Sequence, residues 1–117
     1  MAHSSRTAHV DLTDALALGP VPPGNLAVPV FAHGTLLVEF YTPVGEERQT
    51  PHTRDEAYVV ARGTGVFFDG ASRRPVAPGT FLFVPAGRDH RFEEFSSDFA
   101  VWVLFYGPEG GELNGEE

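Results

Sequence analysis

Gly79-Thr80-Phe81-Leu82-Phe83-Val84-Pro85-Ala86-Gly87-Arg88-Asp89-His90 is the stretch whose reading decides the fold. Residues 80–84 read as an apolar strand. Pro85 fixes its own φ and has no N–H to donate, so the strand ladder stops there. Ala86-Gly87 turns the chain, since glycine supplies the backbone angles a tight reversal needs. A new strand then opens at His90-Arg91-Phe92, which holds His90 at the mouth of whatever the two strands line. Such an imidazole is either buried and hydrogen-bonded or a ligand.

Working outward, the same grammar repeats. Residues 99–106 form a last strand that is apolar on both faces, with Phe99, Val101, Val103 and Phe105 on one and Ala100, Trp102, Leu104 and Tyr106 on the other. Asp69-Gly70 signals a hairpin between strands over 66–68 and 73–76. Residues 34–42 alternate, with Leu36, Val38 and Phe40 making one wholly apolar face against Leu37, Glu39 and Tyr41. Residues 26–32 precede them, and Pro29 makes that strand an edge strand. A strand over 50–61, continuous or broken around Arg54-Asp55, follows; if it is continuous, Thr50, His52, Glu56, Tyr58 and Val60 share one parity, so His52 and Glu56 project from one face. About eight short strands separated by Gly, Pro and Asp turns, with no βαβ alternation, predict an all-β antiparallel sandwich or barrel. Residues 11–18 can form a short helix, with Thr13 as its N-cap and Gly19-Pro20 as its stop. The expected organisation is an N-terminal arm and linker over 1–25, a barrel over 26–107 and a frayed acidic tail over 108–117.

Composition closes several routes. The 117 residues suit one domain, and a hydrophobic fraction of 42% supports one core. Ten Phe and three Tyr favour strands, and thirteen Gly with ten Pro favour turns. There is no Cys, so disulfides, thiolate nucleophiles and thiolate-held zinc are excluded. All eight basic residues are Arg, which removes Schiff-base chemistry. Neither a nucleophile elbow nor a phosphate-binding glycine loop occurs. A net charge of −8 repels phosphate backbones, so nucleic acid is not an expected partner. No apolar run approaches membrane-spanning length, and a cytoplasmic protein is the expectation. What remains is chemistry of His, carboxylate, Tyr and metal.

His52, Glu56 and His90 are the candidates. Taken singly, each has another reading. His52 can be a hydrogen-bonded surface or core residue, and His90 can hydrogen-bond a turn. Glu56 on an apolar strand needs a partner, which Arg54 or Arg62 could supply as a structural ion pair. Together, two neutral imidazoles and a carboxylate can cap one face of an octahedral ion and leave positions open. That set suits Fe(II), with Mn, Zn, Ni or Co as alternatives. Tyr58 shares the parity of Glu56 and is the candidate proton carrier, with a packing role as the alternative. His33 reads as a turn residue.

The pattern Gly79-x5-Pro85-x-Gly87-x2-His90 resembles the second signature of the cupin superfamily, with Glu94 where Asn is usual. His52-x3-Glu56-x6-Gly63 resembles the latter part of the first signature. The resemblance covers roughly residues 45–94 and is closest to small bacterial single-domain cupins. It implies a jelly-roll β-barrel whose metal site maps to His52, Glu56 and His90. The position of the first histidine falls on Thr50, so one imidazole of the usual set is absent, and Gln49 is the neighbouring candidate. It further implies a divalent-metal protein acting on a small polar organic molecule, as an oxygenase or, as alternatives, by decarboxylase, isomerase or lyase chemistry. A non-catalytic ligand-binding or sensor barrel and a metal-free structural dimer are the other readings. A homodimer is expected, because the outward face of the last strand would seek a partner sheet.

Overall fold

The computed structural model describes residues 7–19, 27–45 and 51–113. One short helix, α1 (Leu12–Ala17), precedes eight strands. They are β1 (Ala27–His33), β2 (Leu36–Tyr41), β3 (Asp55–Arg62), β4 (Gly65–Phe68), β5 (Arg73–Val76), β6 (Phe81–Val84), β7 (Arg91–Glu93) and β8 (Ala100–Tyr106). All pairs are antiparallel. A five-stranded sheet runs β1-β2-β8-β3-β6 and a three-stranded sheet runs β5-β4-β7. This is the all-β antiparallel architecture that the turn spacing predicts, in the jelly-roll form that the resemblance implies. Pro29 sits on the outermost strand of the large sheet, where the register shifts between Pro29 and Phe31. Among the described residues no helix is long and apolar enough to cross a membrane.

The core lies between the sheets. Tyr58, Val60, Val84, Val101 and Val103 from the large sheet meet Phe67, Val76 and Phe92 from the small one, with Phe99 closing one end. The rings of Phe67, Tyr58 and Phe99 stand 5.2, 5.0 and 5.1 Å from that of Phe92, mostly edge to face. Such pairs add about 0.5–1.5 kcal/mol each beyond burial.

Two local expectations change, and one choice that the sequence leaves open is decided. The helix is capped by Asp11 rather than Thr13: the Asp11 carboxylate accepts from Asp14 N–H while the Asp14 carboxylate accepts from Asp11 N–H. A carboxylate at either end of this reciprocal pair also complements the helix dipole. The wholly apolar face of β2, whose direction the sequence leaves open, points out of the barrel. Phe40 pairs with Trp102 on the outer side, and Ala15 of α1, with Leu12 and Leu16, packs over Phe40 and Ala100. The helix therefore covers part of the outward face of β8 that the sequence leaves bare. Strand β3 starts at Asp55, so His52 lies in the segment before it rather than on it.

Candidate metal centre

His52 approaches through the loop preceding β3, Glu56 is the second residue of β3, and His90 immediately precedes β7. Three fastenings hold the loop. Gly87 N–H donates to the His52 carbonyl at 2.7 Å, and Gly110 N–H donates to the Thr53 carbonyl at 2.7 Å. Arg54 donates to the carbonyls of Gly107 (3.0 Å) and Thr35. The buried carboxylate of Asp55 joins the pieces, accepting from Ala86 N–H on one oxygen and Glu112 N–H on the other, both at 2.9 Å. Residues 108–112, the described part of the segment that reads as a frayed tail, are thus docked beside the site. Asp55 went unnoticed in the sequence. Its role depends on two backbone amides far along the chain, which no local pattern displays.

Nε2 of His90 lies 3.0 Å and Nε2 of His52 3.7 Å from Oε1 of Glu56. These three residues form the group able to hold a metal ion among those described. Glu56 and His90 are buried, while the His52 side chain is 36% exposed and packs edge-on to Phe105 at 5.0 Å. Parity along a continuous strand predicted the meeting of His52 and Glu56. The loop achieves the same meeting by a different path. Thr50 and Gln49 lie outside the described residues. His33 is exposed at the end of β1.

The bland alternative for Glu56 can be tested directly. The Arg54 Nε goes to Gly107 O and the Arg62 Nε to Asp98 O, at 3.0 and 2.8 Å, so neither guanidinium is turned on Glu56. Among the described residues both oxygens of this 1%-exposed carboxylate lack a hydrogen-bond partner. A buried carboxylate left so is costly.

The tautomer of His90 sharpens the point. Its Nδ1 lies 2.9 Å from the Arg88 carbonyl, which can only accept, so Nδ1 carries the hydrogen. In the neutral ring, Nε2 then presents a lone pair towards the Tyr58 hydroxyl at 3.1 Å and towards Glu56 Oε1. A lone pair and a carboxylate oxygen at 3.0 Å repel unless a cation lies between or beside them. The donor set therefore fits a divalent ion. The carbonyl that fixes the far nitrogen is the kind of support metal-ligating imidazoles use.

A pocket of about 180 Å³ opens beside His90, lined by Asp69, Phe83, Val84, Pro85, Arg88 and His90. Arg88 is the arginine that reaches it, and its Nε donates to the Asp69 carbonyl at 2.7 Å. Two N–H groups, of Ala71 and Ser72, hold the Asp69 carboxylate as an anion, and its pKa is lowered chiefly by them.

A second carboxylate faces inward on β2. Glu39 pairs with Val103, and Val103 with Tyr58, so all three share the inner face. Burial raises the Glu39 pKa. The neighbouring His52 lowers it in part, and Glu56 raises it further. The sequence carries a signal for it, because Glu39 is the one charge in the Leu37-Glu39-Tyr41 row. That signal does not by itself say which row of β2 turns inward.

The sequence profile of the cupin domain matches residues 37–106, which takes in both halves of this site. The chain belongs to the cupin family. This cupin is 40% identical over 63 residues to the uncharacterized protein SCO3923 of Streptomyces coelicolor. That match covers 54% of this chain and 60% of the relative, so this cupin spans under two thirds of the relative's length. Among solved structures, it superimposes on a cupin-2 domain protein of Shewanella frigidimarina with a TM-score of 0.65 at 15% identity, covering 84% of this chain and 94% of the other. It also superimposes on the DMSP lyase DddQ of Ruegeria pomeroyi with a TM-score of 0.55 at 26% identity, covering 62% of this cupin and 39% of the lyase.

Proposed function

We propose that this cupin is a metal-dependent enzyme acting on a small polar organic molecule, with His52, Glu56 and His90 as ligands. The observation that carries it is the buried Glu56 carboxylate, whose oxygens lack a hydrogen-bond partner among the described residues and which lies 3.0 Å from Nε2 of His90. A divalent ion there would supply Lewis-acid polarisation of a substrate oxygen. Of the reaction classes open to such a site, proton transfer in a lyase or isomerase is the best supported. Tyr58 is buried on the same face, and its hydroxyl is already directed at a ligand nitrogen. Once that nitrogen is engaged, the hydroxyl is released to give or take a proton at the substrate. Its likeness to a lyase, though partial, points the same way. Arg88 at the pocket favours a substrate with an acidic group, and the restrained Asp69 beside it favours one that also carries a donor or positive charge. An oxygenase would use the same three ligands, and nothing among the side chains around them favours it over proton transfer.

We infer a homodimer as well. Phe81 and Phe83 are 64% and 49% exposed on β6, the end strand of the large sheet. An apolar open edge of this kind supports pairing as a homodimer.

Elemental analysis of protein purified without chelator or metal-affinity step, followed by titration calorimetry, tests the reading. About one divalent ion per chain is expected. Folded protein that shows no saturable divalent binding overturns it. Light scattering at micromolar concentration tests the dimer, and a monomer mass there rejects it.

A further inference from the structure

We propose that Arg88 is the specificity-determining residue of the pocket beside His90, and that it anchors a small organic acid through a single carboxylate. The inference rests on the proposed function for making this pocket the substrate's, and it narrows that substrate.

The guanidinium is positioned by its surroundings. Its Nε donates to the Asp69 carbonyl at 2.7 Å. That carbonyl belongs to a braced turn: Asp69 N–H donates to the Ser72 carbonyl, and the Asp69 carboxylate accepts from the N–H groups of Ala71 and Ser72. A Cβ on Gly70 would stand 3.0 Å from Arg88 Nε, so the guanidinium lies close over the bare backbone of the β4–β5 turn. Among the described residues no hydrogen bond engages either Nη group of Arg88. Those two groups form the fork that a carboxylate accepts with both oxygens. An arginine already tethered at Nε loses little freedom when it binds one.

The other walls set the class of acid. Phe83, Val84 and Pro85 are apolar, and His90 lines the same pocket. Its volume of about 180 Å³ has room for about six groups of water size, at roughly 30 Å³ each. Among the described lining residues Arg88 is the one permanent cation, with the Asp69 carboxylate beside it. A dianion such as phosphate would face one guanidinium and one neighbouring carboxylate, whereas a monocarboxylate is matched by Arg88 alone. The Arg88 carbonyl also holds Nδ1 of His90 at 2.9 Å, so anchor and candidate metal ligand are set by one turn.

The test is NMR titration of wild type, Arg88→Gln and Arg88→Lys with three probes: butyrate, butyramide as its uncharged counterpart of equal size, and inorganic phosphate. Wild type should prefer butyrate to butyramide by about tenfold or more, as a charge-assisted pair gives. Arg88→Gln should lose that preference while holding butyramide as wild type does, which shows the pocket intact. Arg88→Lys keeps the charge without the fork, should fall between, and guards against misfolding of the first variant. Arg88→Gln that binds butyrate within about twofold of wild type overturns the inference. So does wild type that shows no saturable butyrate binding, or that holds butyramide as tightly. Phosphate that displaces butyrate from wild type at equal concentration overturns the monocarboxylate class. Zn(II) titration of the same samples keeps the two readings apart. Wild type that prefers butyrate through Arg88 but takes up no divalent ion overturns the proposed function and supports the anchor.

Discussion

The Tyr58 hydroxyl lies 3.1 Å from Nε2 of His90, on the same lone pair that a metal ion would use. Hydroxyl and ion compete for it. Tyr58→Phe should therefore bind divalent metal as well as wild type or better, while the metal-free protein loses about 1 kcal/mol with the buried hydrogen bond. Calorimetric affinity and a urea melt on the same preparation check both halves. A marked loss of affinity would mean that Tyr58 is itself a ligand.

Glu56→Gln should show opposite effects with and without metal. An uncompensated buried charge is removed, and the new amide can donate to His90 Nε2. The metal-free protein should gain about 1 kcal/mol or more. Metal affinity should fall. His52→Ala and His90→Ala should lower affinity more, but only His90→Ala should cost stability, about 2 kcal/mol, because the His90 side chain is fully buried whereas that of His52 is 36% exposed. Thermal melts with and without added metal separate the four proteins.

Glu94 has φ +48°, a left-handed backbone in which glutamate is strained and asparagine is at home. It occupies the position where the second cupin signature usually has Asn. Glu94→Asn or Glu94→Gly should stabilise by about 0.5–1 kcal/mol, a rise of about 3 °C in a thermal melt. An unchanged melting temperature would show that the strain is relieved locally.

Two motif glycines should respond differently to alanine. At Gly63, φ is +79° and a Cβ would stand 2.5 Å from Ser96 Oγ and 2.7 Å from the Phe99 Cα. Gly87 has φ +81° but nothing within 4 Å. Gly87→Ala should cost about 1 kcal/mol from backbone strain, and Gly63→Ala clearly more, because the Phe99 backbone must move. Paired denaturant melts decide.

Two carboxylates should pull stability in opposite directions with pH. Burial raises the Glu39 pKa, so its contribution is full below the ordinary carboxylate range and is lost as pH rises through the raised folded value. Glu39→Gln should flatten that decline in a metal-free urea series. The Glu93 pKa is lowered by hydrogen bonds from Arg73 and then Arg91, so its contribution is present above the ordinary range and is lost as pH falls through the lowered value. That pair is exposed, and salt should weaken it.

The sequence is most informative where one residue's chemistry suffices. Pro85 and Gly87 mark the end of β6, Asp69-Gly70 marks the β4–β5 hairpin, and Pro29 marks an edge, because each acts on its own backbone. The spacing of His52, Glu56 and His90 is legible for a similar reason, since turns fix it. Long-range decisions are less legible. Which face of β2 turns inward depends on α1 covering Phe40, and a six-residue helix leaves little periodicity to read. That hid Glu39. The docking of residues 107–112 depends on one Asp55 side chain meeting backbone amides, which any sequence could present.

Asp55 sets a clock for the site. Its carboxylate clasps the Ala86 amide, next to the turn that fastens His52, and the Glu112 amide of the chain's closing segment. The ligand loop can swing away only when that clasp and the three fastenings of the loop let go together, a local opening short of global unfolding. Residence time of an ion would then follow the lifetime of the latch, not that of the barrel, so trapping and release could be retuned at Asp55 without altering a single ligand.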